Sequence, residues 1–123
     1  MILVDTSVWV DHLRKGDQVL ARLLDATQVL SHPFIVGELA LGDLRQRDLI
    51  LRTLQDLPQA VVGSPDEVLH FIDHYTLAGS GIGYVDAHLL AATRLTAGVI
   101  LWTRDKQLHS VAERLGLAAR VST

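Results

Sequence analysis

Apolar positions are distributed along the chain in two ways. Short uninterrupted runs rich in β-branched residues occur at residues 2–4, 28–30, 60–62 and 99–103, with 120–121 as a fifth candidate. Runs of this kind, apolar on both faces rather than alternating, read as strands of a parallel sheet covered on each side. Between them the spacing turns helical. Residues 17–26 place Val19, Leu20, Leu23 and Leu24 on one face, and residues 44–54 do the same with Leu44, Leu51 and Leu54. Ser64-Pro65-Asp66-Glu67 combines a capping box with proline at the first helical position and opens a helix running toward Tyr75. The glycine-broken stretch Gly79-Ser80-Gly81-Ile82-Gly83 precedes a helix from Tyr84 to Thr96 ended by Gly98, and a last helix follows Asp105 and stops at Gly116. Strands alternating with helices and joined by right-handed crossovers predict a three-layer α/β/α sandwich with a central parallel sheet of four to five strands.

Composition narrows this without changing it. A chain of 123 residues has the length of one domain, expected here over residues 1–123, and buries roughly two-thirds of its unfolded surface. With 49% hydrophobic residues, three prolines and no repeat, it is expected to fold throughout. Its apolar runs fall far short of the roughly 20 residues of a membrane span, and its opening lacks the basic region and cleavage site of a signal peptide. A soluble cytoplasmic protein with no membrane partner is therefore expected. The absence of cysteine leaves carboxylates and histidines as the only strong metal ligands. A net charge of −3 argues against a protein that coats nucleic acid, yet it leaves room for an enzyme with an acidic metal site and a local basic rim.

Four of the 14 acidic residues stand out. Asp5 follows the first strand and Asp105 the fourth, and in an open parallel sheet ligands bind outside the carboxyl ends of the strands. Each also suits a helix cap, as do Thr6 and Ser7, with Ser7 sufficient alone. Glu38 is the one polar side chain in Pro33-Phe34-Ile35-Val36-Gly37-Glu38-Leu39-Ala40-Leu41, a segment that reads as a buried helix, where an unpaired carboxylate is costly unless it reaches solvent at a cleft edge or pairs with an arginine. Asp86 lies near a helix start, where an acid also favours the dipole, but Leu89, Leu90 and Thr93 share its face. Carboxylates gathered without a counter-charge repel one another, and a hard divalent cation resolves the conflict. Oxygen-only ligands favour Mg²⁺ or Mn²⁺, ions suited to phosphodiester hydrolysis.

Val4-Asp5-Thr6-Ser7-Val8-Trp9, Glu38, Gly83-Tyr84-Val85-Asp86-Ala87-His88-Leu89-Leu90-Ala91-Ala92 and Thr103-Arg104-Asp105 together resemble the PIN-domain nucleases, most closely the VapC toxins of bacterial toxin–antitoxin pairs. The resemblance spans nearly the whole chain. It implies a Mg²⁺-dependent endoribonuclease, with Mn²⁺ able to substitute, that cuts cellular RNA, is restrained by a VapB-like antitoxin and forms a homodimer. The family's acidic cluster carries over onto Asp5, Glu38, Asp86 and Asp105, and its small hydroxyl positions onto Thr6 and Thr103. On this reading Asp5 and Asp86 hold the main metal, Asp105 completes the site or recruits a second ion, and Glu38 orients or deprotonates the attacking water. Arg104 and Lys106, and Arg14-Lys15, are candidate phosphate contacts, although isolated surface cations are more often solvated.

Four other readings are weaker. A phosphoacceptor receiver domain needs an acidic pair after the first strand and an acceptor aspartate after the third, where this chain has Thr6-Ser7 and Gly63-Ser64. His70-Phe71-Ile72-Asp73-His74 loosely matches an inverted zinc-protease motif but carries aspartate for glutamate and reads as a solvated helix. The serious competitors are a catalytically silent PIN-fold binding protein and a housekeeping nuclease without an antitoxin.

Overall fold

The computed structural model describes residues 1–121, and in it the chain builds a parallel sheet wrapped by helices. Strand β1 (Ile2–Val4) leads into α1 (Thr6–Lys15) and α2 (Gln18–Asp25), followed by β2 (Val29–Leu30), α3 (Pro33–Ala40), α4 (Arg47–Asp56), α5 (Pro65–His74), α6 (Tyr84–Leu95), β3 (Ile100–Trp102) and α7 (Lys106–Arg114). The strand order is β2-β1-β3, and both pairings are parallel, with Leu3 opposite Leu30 on one side and Leu101 on the other. Successive strand residues point to opposite faces, so the burial of both Leu3 and Val4, and of both Leu101 and Trp102, means that helices cover each face. Helices α1, α3 and α4 pack on one another, while α6 packs on β3 and α5. This is the expected α/β/α architecture.

The sheet is smaller than expected. Three strands form among the described residues, extended at its edges by isolated parallel bridges from Ser31 to Gln59 and from Leu101 to Ala118. The run at 60–62 makes no strand: Val61 and Val62 are exposed, and the Val61 N–H turns away to donate to Thr96 Oγ1 at 2.9 Å. At the other edge Leu101 exchanges backbone hydrogen bonds with Leu117 and Ala119, so the pairing falls short of the candidate at 120–121. Helix α4 begins three residues late because Gln46, the residue before it, adopts a left-handed backbone. The capping box at Ser64 and Glu67 forms as expected, with both reciprocal hydrogen bonds made.

Parallel pairing brings the ends of β1, β2 and β3 to one edge of the sheet. The Asp5 N–H donates to the Trp102 carbonyl at 2.9 Å, fastening the β1–α1 turn to the β3–α7 turn. The site is built on this junction.

Candidate active site

Asp5 is buried at the end of β1 and is the N-cap of α1, but its side chain makes no capping bond. Its Oδ2 instead accepts two hydroxyl hydrogen bonds, from Thr103 Oγ1 at 2.7 Å and from Ser7 Oγ at 2.8 Å. Ser7 and Thr103 lie 3.3 Å apart, and each is fixed in turn by a backbone donor: Arg104 N–H to Ser7 Oγ at 2.9 Å and Asp105 N–H to Thr103 Oγ1 at 3.1 Å. Ser7 is thus no cap. It joins the two strand ends, a role hidden from sequence because the Asp-Thr-Ser string also suits a helix start.

The other carboxylates are tethered in the same manner. Asp105 caps α7 through Oδ1, which accepts the Leu108 N–H at 3.0 Å, so capping and site placement coincide. Asp86, half-buried near the start of α6, accepts the Gly83 N–H through Oδ2 at 3.1 Å. Glu38 accepts Thr6 Oγ1 through Oε1 at 2.7 Å. Each of the four therefore has one oxygen engaged, while its second oxygen makes no hydrogen bond among the described residues: Oδ1 of Asp5 and Asp86, Oδ2 of Asp105 and Oε2 of Glu38. An oxygen fixed on one side and open on the other suits one-point coordination, because the tether sets its direction before an ion arrives.

Glu38 is not buried; of the two readings its apolar neighbours left open, it takes the one that reaches solvent. Helix α3 buries Ile35 and Leu39 against α1 and α4 but exposes Pro33, Gly37 and Glu38, and the following Leu41 is 90% exposed. The carboxylate stands at the rim of the site with its position set by Thr6.

The electrostatics tie the four together. Burial holds the Asp86 carboxyl above the ordinary carboxylate range, the negative charges of Asp5, Asp105 and Glu38 push it further up, and the Gly83 N–H opposes them. Asp86 is thus the residue at which the other three charges are felt. Among the described residues no group of three or more histidine, aspartate or glutamate side chains is arranged closely enough to hold a metal ion. The donor set nevertheless fits a hard divalent cation, since it consists of carboxylate oxygens with one lone-pair face each left open and an unneutralised cluster of negative charge.

Arg104 does not reach for substrate. Its guanidinium donates to Asp11 at 2.8 Å and to Asp17, the N-cap of α2, and lies 5.4 Å from the centre of the Trp102 ring. Hydrogen bonding to Arg104, reinforced by the Leu20 N–H, holds the Asp17 carboxyl below the usual range. Arg14 likewise pairs with Asp11, at 3.4 Å. Arg104 belongs to the scaffold, while Arg14 makes an exposed surface pair. His70 and His74 stack on the exposed side of α5 with ring centres 6.0 Å apart, away from the four acids.

The sequence profile of the PIN domain matches residues 2–114, and the chain belongs to that family. Within it, the chain is 47% identical over 118 residues to Ribonuclease VapC32 of Mycobacterium tuberculosis, in strain H37Rv and equally in strain CDC 1551 / Oshkosh, covering 96% of this chain and 95% of the relative.

Proposed function

We propose that the protein is a metal-dependent endoribonuclease, the toxin of a toxin–antitoxin pair, with Asp5, Glu38, Asp86 and Asp105 as its catalytic residues. The observation that carries this reading is the tethering of four carboxylates around one strand-end junction, Asp5 through Thr103 and Ser7, Asp105 and Asp86 through backbone N–H groups and Glu38 through Thr6, each with one oxygen left open among the described residues. Family membership and the near full-length likeness to a ribonuclease support it.

In this reading Asp5, Asp86 and Asp105 would hold Mg²⁺ or Mn²⁺, with Thr103 and Thr6 as supporting hydroxyls. Such an ion, when bound, neutralises charge on the phosphate and lowers the pKa of water. Glu38, at the exposed rim, orients the attacking water through Oε2 and accepts its proton. Water adds to phosphorus, the bond to the leaving oxygen breaks, and that oxygen takes up a proton. The fixed oxygens matter because a preorganised site reorganises little as charge develops.

RNA is the proposed substrate and a small VapB-like antitoxin the proposed partner, with the protein acting as a homodimer in the cytoplasm. An open groove of about 840 Å³ beside Glu38, lined in part by Val10, Leu13, Leu39, Leu44 and Ile50, offers apolar surface for a protein partner at the rim of the site. None of the described helices is long and apolar enough to cross a membrane.

The direct test is to incubate the purified protein with end-labelled RNA in Mg²⁺ or Mn²⁺, beside an EDTA control and Asp5→Ala. Cleavage by wild type alone, abolished by EDTA, is expected. Identical RNA in wild-type and variant lanes would refute the enzyme reading. Co-purification with a small protein encoded beside it tests the toxin assignment separately.

A further inference from the structure

An acidic nuclease still has to hold a polyanion, and the structure restricts which cations are available for that. Of the 11 lysines and arginines, Arg14 and Arg104 are paired with Asp11, and Arg104 also with Asp17. Arg47, Arg52, Arg94 and Arg114 donate to main-chain carbonyls. Among the described residues this leaves Lys15, Arg22, Arg45, Lys106 and Arg120 without a side-chain hydrogen bond. Two of these five line one cleft.

That cleft, of about 830 Å³, opens where β3 passes into α7 and is lined by Thr103, Lys106, His109, Ser110, Glu113 and Arg120 among others. Thr103 is also the residue whose hydroxyl donates to Asp5, so the cleft shares a wall with the acidic site. Its one carboxylate, Glu113, sits 3.4 Å from His109, while Lys106 and Arg120 are both exposed. By contrast Arg45 lies in the groove beside Glu38, with Asp43 as a neighbouring acid and a largely apolar lining. Lys15 and Arg22 sit at the α1–α2 end with Asp11 and Asp17.

We infer that the Lys106–Arg120 cleft seats the RNA backbone beside the phosphodiester that is cut, binding phosphate oxygens on the α7 side of the four carboxylates. This rests on the ribonuclease reading and adds to it a direction in which the strand leaves the site. It places affinity on two cations while chemistry stays with the acids, which explains how a chain of net charge −3 holds RNA at all. Phosphate contacts of this kind carry affinity without sequence preference.

Binding of a fluorescein-labelled single-stranded RNA, read by anisotropy in EDTA so that it is not cut, tests this across a range of KCl concentrations. Lys106→Gln with Arg120→Gln is compared with wild type and with a control pair, Lys15→Gln with Arg22→Gln. The cleft pair is expected to weaken binding on the order of tenfold at about 0.1 M salt and to flatten the slope of log K against log salt by about 1.4, near 0.7 for each lost phosphate contact. In Mg²⁺ the same pair should raise KM for RNA and leave kcat unchanged. Wild-type affinity and slope in the cleft pair, or an equal loss in the control pair, would overturn the inference. A wild-type protein that cuts no RNA would instead remove the ribonuclease reading, so the two failures are distinguishable.

Discussion

The oxygen that matters most in Asp5 is the one that is not hydrogen-bonded. Thr103 and Ser7 occupy Oδ2, and the side chain can then turn only as far as two short hydroxyl bonds allow, with Oδ1 left without a partner among the described residues. Ser7→Ala removes one of these and frees the Arg104 N–H, with no change in net charge. It should lower metal affinity or cleavage by about 10- to 100-fold, as measured by calorimetric Mn²⁺ titration and by initial rates, while Ser7→Thr keeps most of both. If Ser7 were only a helix cap, metal affinity would stay at the wild-type level in both variants. The strand-end positions of Asp5 and Asp105 and the place of Asp86 at the start of a packed helix were legible in the sequence. The exposure of α3 and the tether made by Ser7 were not: exposure is decided by which elements pack on the helix, and a serine after an aspartate looks the same as a cap and as a tether.

At the scale of elements, the glycine-rich loop carries the N–H that holds Asp86. Gly81, two residues before that donor, has φ +86°, a left-handed backbone that favours glycine. A β-carbon there would meet only the end of the exposed Gln107 side chain, which can turn aside. Gly81→Ala therefore acts through backbone strain and should cost about 1 kcal/mol in urea denaturation. It should also impair metal binding, whereas an unchanged denaturation midpoint would show that the loop is slack. A second fastening is Arg104, whose ion pairs connect the β3–α7 turn to α1 and to the start of α2. Arg104→Gln should cost about 1–2 kcal/mol by thermal denaturation and leave the RNA salt slope unaltered, as its charge is already committed. Elements with continuous apolar runs or marked caps were legible from sequence, among them β1, β3, α5 and α6. The run at 60–62 has strand-like residue types, but only Ala60 bonds toward the sheet, through its N–H to the Ser31 carbonyl, while the Val61 N–H goes to a threonine hydroxyl.

The molecule as a whole encloses two histidines next to the site, and they give its stability a pH dependence. His32, fully buried after β2, uses Nδ1 to accept the Phe34 N–H at 3.0 Å and cap α3, and its ring centre lies 6.5 Å from that of His88. Burial, with a smaller contribution from His88, lowers its pKa to about 4, and burial lowers that of His88 as well. The unfolded chain takes up protons at these positions as the pH falls through about 6.5, while folded His32 resists until about 4. Stability is therefore full above about 6.5 and declines as the pH falls toward 4. Thermal midpoints between pH 7.5 and 5 should show this decline, and His32→Asn, which can still cap α3, should flatten it; an equal decline in the variant would assign the effect elsewhere. The sheet's parallel character and the edge at which the acids gather were readable from the order of strands and helices. Its width was not, because edge pairing depends on single bridges at Gln59 and Ala118 that leave no run in the sequence. What that edge holds is tested by Mn²⁺ binding, followed by electron paramagnetic resonance, in the wild type and in the four single variants Asp5→Asn, Glu38→Gln, Asp86→Asn and Asp105→Asn. Binding in the wild type that is lost or strongly weakened in the three aspartate variants, and kept in Glu38→Gln while RNA cleavage disappears, is the predicted result. Undiminished Mn²⁺ binding in Asp5→Asn and Asp86→Asn would contradict a metal site built by these carboxylates.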